Sequence, residues 1–204
     1  MTKYKNLPYK HIGFCADGDA WFNLEKYKKA LYFYDKALKI KPDYIRALHN
    51  RGTTLQQLER YEDALFSYNK ALELDSDNYQ SWLGRSIVLN KLGKPEEELA
   101  SWDKVLEIKA DETAWFCRGN VLDDLERYEE AIISYHEALQ IKSDFYQAWY
   151  NRANTLFNNE QYEDAIQSWE KTLEIQPDNT DALNNIKIAS EILQKVKTNE
   201  NPSM

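Results

Sequence analysis

Hydrophobic positions along this chain recur in short stripes at helical spacing. In one stretch, Trp149, Ala153 and Leu156 lie three or four residues apart, which is the spacing of one face of an α-helix. A second stripe, which contains Ala165, follows after a polar turn at 158–161. The pattern predicts two short amphipathic helices joined by a tight turn. Because neither helix can bury its stripe alone, we expect neighbouring pairs to pack together.

The predicted helix pair repeats along the chain with a period of 34 residues. A Tyr-x-x-Ala string occurs four times, starting at Tyr27, Tyr61, Tyr128 and Tyr162. Its middle gap of 67 residues leaves room for one degenerate copy, so the phasing gives five repeats: 11–44, 45–78, 79–111, 112–145 and 146–179. Residues 180–197 are predicted to form a capping helix. We expect residues 198–204 to be disordered and the N-terminal segment 1–10 to be partly disordered.

These features resemble the tetratricopeptide repeat. The resemblance covers residues 11–179 and rests on the period, on small residues where paired helices meet, and on one set of positions: Trp149, Ala153, Leu156, Ala165, Trp169 and Pro177. It implies an all-α fold, a right-handed α-solenoid of five helix-turn-helix repeats plus a C-terminal capping helix. It also implies a concave groove, lined by the first helix of each repeat, that usually holds a segment of another protein.

Two local features test this phasing. An aspartate near the end of every repeat is predicted to cap the next helix: Asp43, Asp77, Asp111, Asp144 and Asp178. Repeat 3 departs from the pattern with Pro95, which suits a first helical turn, and with Glu98 where other repeats carry alanine. Since burying an unpaired carboxylate is costly, we expect the helices to splay so that Glu98 reaches solvent or Arg85. A hinge or partner contact is the alternative.

Composition and charge exclude several function classes. The net charge of −8 disfavours nucleic-acid binding, because neutralising phosphates requires a basic surface. No apolar run approaches the roughly 20 residues that span a bilayer, and no secretory signal is recognisable, so we predict no membrane insertion and a cytoplasmic location. Cys15 and Cys117 are isolated, and His11, His49 and His136 lie in different repeats. We therefore predict no metal site, no cofactor and no catalytic residue.

Candidate binding residues lie on the first helices, at positions predicted to face the concave side. Apolar residues there are expected to form an exposed strip across repeats 3 to 5, unless the next helix or the C-terminal segment covers part of it: Leu83, Ile87, Phe116, Tyr150 and Phe157. Five asparagines accompany them: Asn50, Asn120, Asn151, Asn154 and Asn185. Amides donate and accept, so this ladder can pair with a peptide backbone, or its members can bond to one another and to water. His49 shares the concave face.

Arginine recurs at the seventh position of four repeats: Arg51, Arg85, Arg118 and Arg152. This position is predicted to face the preceding repeat, where a guanidinium would meet the carbonyls at a helix C-terminus or a junction aspartate. The positions that correspond to the carboxylate clamp of chaperone-binding tetratricopeptide domains lack the required cations. We therefore predict no chaperone-type carboxylate clamp.

The leading hypothesis is an interaction scaffold or adaptor that holds an extended or helical segment of a partner protein in its groove and assists complex assembly. The alternative is a self-associating structural module whose groove is filled by a terminal helix of its own or of a sister chain. We expect a monomer or a weak homo-oligomer. Repeats 4 and 5 carry five basic against fourteen acidic residues, which would steer a basic segment toward them. The alternative is that these acids form a solvated outer face.

Overall fold

The computed structural model describes the backbone of residues 9–200 and the side chains of residues 9–196. Every regular element in this part of the chain is an α-helix, so the predicted all-α repeat architecture is confirmed. The helices are α1 Lys10–Asn23, α2 Tyr27–Ile40, α3 Ile45–Gln57, α4 Tyr61–Leu74, α5 Tyr79–Lys91, α6 Pro95–Ile108, α7 Glu112–Asp124, α8 Tyr128–Ile141, α9 Tyr146–Asn158, α10 Tyr162–Ile175 and α11 Thr180–Glu200.

The chain divides into an N-terminal unit, Met1–Lys109, and a C-terminal unit, Ala110–Met204. Within each unit, every helix packs against the next one along the chain. Helices α3, α5, α7 and α9 begin at the first residue of their predicted repeats, whereas α1 begins one residue early, at Lys10. Helix α11 continues past the predicted end at 197, so residues 198–200 are helical rather than disordered. The disorder predicted for residues 1–8 and 201–204 falls outside the described residues.

Each helix pair is closed by the same turn, in which one residue takes a left-handed conformation. That residue is glutamate in four repeats and glycine in repeat 3: Glu25, Glu59, Gly93, Glu126 and Glu160, with φ between 57° and 64°. In repeat 2, the amide of Glu59 donates to the carbonyl of Gln56, and the amide of Arg60 donates to that of Leu55. This pair of bonds satisfies carbonyls left free at the helix end and reverses the chain.

Small residues on the first helix let a large ring from the second helix lie between the paired helices. A Cβ atom built on Gly52 would lie 2.8 Å from the ring of Tyr68, and Ala64 is fully buried beside it. The equivalent rings are buried in every repeat: Tyr34, Tyr68, Trp102, Tyr135 and Trp169. Each ring lies at the centre of its helix hairpin and so determines which face of the first helix points outward.

The predicted caps are wrong at four of the five junctions because the helices begin one residue later than the aspartates require. Only Asp111 is an N-cap, and its Oδ1 accepts from the amide of Ala114 at 2.9 Å. Asn78 and Asn179, each one residue beyond an aspartate, accept instead from the first turns of α5 and α11. The shift leaves four aspartates just outside the helices: Asp43, Asp77, Asp144 and Asp178.

The expectation for Glu98 is also wrong, since its side chain reaches neither solvent nor Arg85. Glu98 is buried, and its carboxylate accepts hydrogen bonds from Asn90 Nδ2 and from Trp102 Nε1, both at 3.2 Å. Arg85 instead bonds to Asn69 and Ser101. The helix pair of repeat 3 therefore accommodates a carboxylate by giving it two polar partners.

The recurring arginines bind different groups from those predicted. In all four repeats, arginine Nη1 donates to a serine on the second helix of the same repeat: Ser67, Ser101, Ser134 and Ser168. In two repeats, Nε also reaches the second helix of the preceding repeat, where Arg51 bonds to Asp35 and Arg85 to Asn69. Arg51 and Arg85 therefore tie neighbouring hairpins of the N-terminal unit together through mid-helix side chains rather than through helix ends.

Candidate functional site

Two hollows open on the faces of the first helices, one in each unit. The N-terminal hollow lies between α1, α2 and α3, has a volume of about 340 Å³, and is lined by Asp19, Phe22, Asn23, Tyr34, Arg46, His49, Asn50 and Thr53. The C-terminal hollow lies between α9, α10 and α11, has a volume of about 280 Å³, and is lined by Asn154, Phe157, Asn158, Trp169, Asn185 and Ile188. Four predicted binding residues line these hollows: His49, Asn50, Asn154 and Phe157.

The N-terminal hollow is organised around the carboxylate of Asp19. Its Oδ1 accepts from the hydroxyl of Tyr34 and from Asn50 Nδ2, both at 2.7 Å, and its Oδ2 accepts from Arg46 Nη2 at 2.5 Å. Burial and the neighbouring carboxylate raise the pKa of the Tyr34 hydroxyl. The hydroxyl therefore stays protonated and keeps donating to Asp19 throughout the physiological range.

His49 contributes an uncharged ring to the same hollow. It is half-buried, its Nδ1 lies 3.2 Å from Ser81 Oγ, and its ring packs 5.7 Å from the ring of Tyr68. Burial lowers the pKa of the His49 imidazole below 6.5. The ring is therefore neutral at pH 7, where it can donate one hydrogen bond and accept another.

The C-terminal hollow has an apolar floor and an amide rim. The Phe157 ring packs against the rings of Tyr162 and Trp169, at centroid distances of 5.3 and 5.8 Å, and Ile188 on α11 is half-exposed at the edge. Asn154 Oδ1 accepts from Trp169 Nε1 at 3.1 Å. No ionisable side chain is among the described residues that line this hollow.

The asparagines bond largely to one another, as the alternative reading of the ladder allowed. Asn120 Oδ1 accepts from the hydroxyl of Tyr135 at 2.9 Å and from Asn151 Nδ2 at 2.8 Å, and Asn185 Nδ2 lies 3.5 Å from Asn154 Oδ1. These bonds fix the orientation of the four amides, but each amide uses only one of its two polar atoms. Within residues 9–196, no hydrogen bond is made by Nδ2 of Asn120 or Asn154, or by Oδ1 of Asn151 or Asn185.

The predicted apolar strip is not uniformly exposed. Ile87 in the N-terminal unit is 43% exposed, whereas Leu83 on the same helix is half-buried. In the C-terminal unit, Phe116 packs 4.9 Å from the ring of Phe145, and Tyr150 packs against the core of repeat 5. All three predicted aromatic residues of this unit are half-buried. Rings from second helices or junctions cover part of Phe116 and Phe157.

Sequence reasoning missed three contributors to the hollows. Arg46 and Asp19 pair across 27 residues, and nothing in the repeat pattern indicates that they do. Ile188 was assigned to the cap, although its position in α11 matches that of Asn154 in α9, 34 residues earlier. Extending the repeat phasing into α11 is the signal that would have found it.

Two other features are absent from the part of the chain that the structure describes. Among the described side chains, no cluster of three or more His, Cys, Asp or Glu residues has an arrangement able to hold a metal ion. None of the described helices has the length and apolar character needed to span a membrane.

Known proteins share this pattern of repeats. Two family profiles match, one described as Tetratricopeptide repeat at 45–78 and 146–179, the other described as TPR repeat at 18–59 and 119–160. Together these matches cover more than half of the chain. None of the curated proteins compared matches the sequence.

Solved structures share the fold over most of the chain. YrrB, described as a TPR protein with an unusual peptide-binding site, has 26% identity and a TM-score of 0.80, over 87% of this chain and 92% of that chain. MamA has 18% identity and a TM-score of 0.77, over 84% and 94%. A tetratricopeptide repeat protein from Parabacteroides merdae has 17% identity and a TM-score of 0.77, over 91% and 74%. The last two likenesses show the fold alone.

Proposed function

We propose, from the premise that this chain belongs to the tetratricopeptide repeat family, that it binds an extended segment of a partner protein on the faces of its first helices. The fold of this family serves in general as a scaffold for protein–protein interactions, and its members are generally not enzymes. The peptide-binding site named for YrrB supports a peptide ligand here. A cytoplasmic location and a role in complex assembly stay predictions.

The C-terminal hollow is the observation that carries the proposal. Its lining is uncharged, and it combines a ring-and-aliphatic floor with three amides: Asn154, Asn158 and Asn185. An apolar side chain that enters the hollow would leave water and contact Phe157 and Ile188. Asn154 Nδ2 and Asn185 Oδ1, which have no hydrogen bond within the described residues, supply a donor for a backbone carbonyl and an acceptor for a backbone amide.

The fixed orientation of these amides favours binding. Asn154 is held by Trp169 Nε1, which is itself part of the buried core, and Asn185 is held by Asn154. A group that is already oriented loses little conformational freedom when a ligand arrives. The hollow is therefore better suited to an extended segment, whose backbone is unpaired, than to a helix, whose backbone groups bond internally.

Filling the hollow tests the proposal. Peptides selected from a random display library against the wild-type protein serve as probes, and fluorescence anisotropy gives their Kd. Ile188→Trp places an indole over the hollow and should weaken binding at least about tenfold, which corresponds to about 1.4 kcal/mol. Because Ile188 is 50% exposed, the substitution should leave the fold intact, as circular dichroism would verify.

Leu183→Trp is the matched control, because Leu183 lies on the same helix with the same 50% exposure but does not line the hollow. The Leu183→Trp variant should bind the selected peptides with the same affinity as the wild type. Unchanged binding by the Ile188 variant, equal loss in both variants, or failure to select any peptide would each contradict the proposal. Light scattering on the free protein distinguishes peptide binding from the self-association alternative. Self-association requires a molecular mass that rises with protein concentration.

A further inference from the structure

The N-terminal hollow differs from the C-terminal one in chemistry as well as in position. It contains a cation, Arg46, at its mouth and an anion, Asp19, deeper inside: the side chains are 60% and 25% exposed, respectively. An ion pair in which the cation faces solvent and the anion is covered presents a positive group to an incoming ligand. We propose that the N-terminal hollow is a second binding site, which takes a carboxylate group through Arg46.

Asp19 has little capacity left to bind a ligand itself. It already accepts three hydrogen bonds, from Tyr34, Asn50 and Arg46, of the roughly four that a carboxylate can accept. A cationic ligand would compete with Arg46 for Oδ2 of this carboxylate. Asp19 therefore acts as a positioning residue that holds the guanidinium at the hollow.

Arg46 keeps most of its hydrogen-bonding capacity. Only Nη2 has a partner among the described residues, which leaves Nε and Nη1 with their donors available. A planar guanidinium offers parallel N–H groups that match the two oxygens of a carboxylate. Prior orientation of the guanidinium by Asp19 reduces the freedom that it loses on binding.

The rest of the lining supports an acceptor-bearing ligand. His49, neutral at pH 7, Asn23 and Thr53 are polar, and Asp19 is the only carboxylate among the described lining residues. This site is not the chaperone-type clamp, whose set of cations over three repeats is missing from the sequence. The carboxylate site also goes beyond the proposed function, because it lies in the N-terminal unit and selects a negatively charged ligand.

Histidine resonances provide a direct test. The chain has three histidines, and His49 alone lines the hollow. In a titration of the full chain with N-acetyl-glutamate N-methylamide, followed by NMR of the imidazole groups, His49 should shift saturably while His11 and His136 do not. N-acetyl-alanine distinguishes a C-terminal carboxylate from a side-chain one, and a saturable shift with either acid supports the proposal. The glutamine and lysine analogues are expected to cause no saturable shift.

Two arginine variants separate the role of Arg46 from a general effect of charge. Arg46→Gln should weaken binding of the acid at least about tenfold, as expected for loss of a charge-assisted bidentate contact. Arg60→Gln should bind as the wild type does, because Arg60, 51% exposed against 60% for Arg46, is in the same unit and pairs with Asp63 outside the hollow. Full binding by the Arg46 variant, no saturable shift with either acid, or an equal shift with the glutamine or lysine analogue would overturn the proposal. None of these results depends on the C-terminal hollow or on Ile188.

Discussion

Arg152 in repeat 5 carries a buried Nε–H that has no hydrogen-bond partner among the described residues. In two earlier repeats, the same atom bonds to a side chain sixteen residues earlier, Arg51 to Asp35 at 2.7 Å and Arg85 to Asn69 at 2.8 Å. The corresponding residue before Arg152 is His136, which is exposed. His136→Asn should therefore supply the missing acceptor and raise the stability of the C-terminal unit.

The size of the effect follows from the burial of Arg152. Burial removes part of the solvation that this guanidinium has in water, which lowers its pKa. A hydrogen bond to a charged group contributes about 1.5–3 kcal/mol. Because position 136 is exposed and the new amide must be ordered, we expect a gain of about 1 kcal/mol. For a chain of this length, that gain corresponds to a rise in Tm of about 2–4 °C.

Thermal and urea unfolding of a small variant set would measure this gain. His136→Ala removes the imidazole without supplying an amide acceptor and should match the wild type. Asn69→Ala, which removes the acceptor from Arg85, should destabilise by a similar amount. Asparagine is chosen over aspartate at position 136 because aspartate would add a negative charge to a unit that is already acidic. A His136→Asn variant no more stable than His136→Ala would refute the reasoning.

Two further predictions concern backbone strain and a half-buried carboxylate. Gly93→Ala should lower the free energy of unfolding by about 1 kcal/mol, measured by urea titration, because Gly93 has φ +64° while its Cβ would meet no atom within 4 Å. Asp123→Asn should raise stability at neutral pH, because burial raises the pKa of Asp123 and asparagine can still accept from Thr155 Oγ1. As pH falls through that raised pKa, the folded wild type takes up a proton before the unfolded chain does, so the advantage of the variant should shrink and be gone below pH 3.8.

The repeat phasing could be predicted because a 34-residue period leaves few alternatives for where a helix begins. Helices α3, α5, α7 and α9 start where that period places them. The N-cap residues could not be predicted as accurately as the phasing. Either the aspartate or the residue after it can occupy the N-cap position. The left-handed turn residues were missed, although Gly93 at the place of four glutamates was a usable signal.

The hollows were only partly predictable, because their chemistry depends on which side chains bond to each other. Asn154 and Phe157 were identified from helical geometry alone, which specifies the face of a residue but not its partners. Whether an amide is available to a ligand depends on contacts such as Trp169 to Asn154. Such contacts join residues of two helices and have no local sequence signature.

The ninth position of each repeat shows how one structural role produces different surfaces. A ring on the second helix donates to this position in three repeats: Tyr34 to Asp19, Tyr135 to Asn120 and Trp169 to Asn154. The charged acceptor also holds Arg46, whereas the amide acceptors keep a donor for a ligand. Repeat 3 has Ile87 at this position and cannot accept, so Trp102 donates to Glu98 instead. The glutamate that breaks the repeat pattern thus satisfies a ring donor that its own ninth position cannot, and Ile87 is left as an exposed apolar residue on that face.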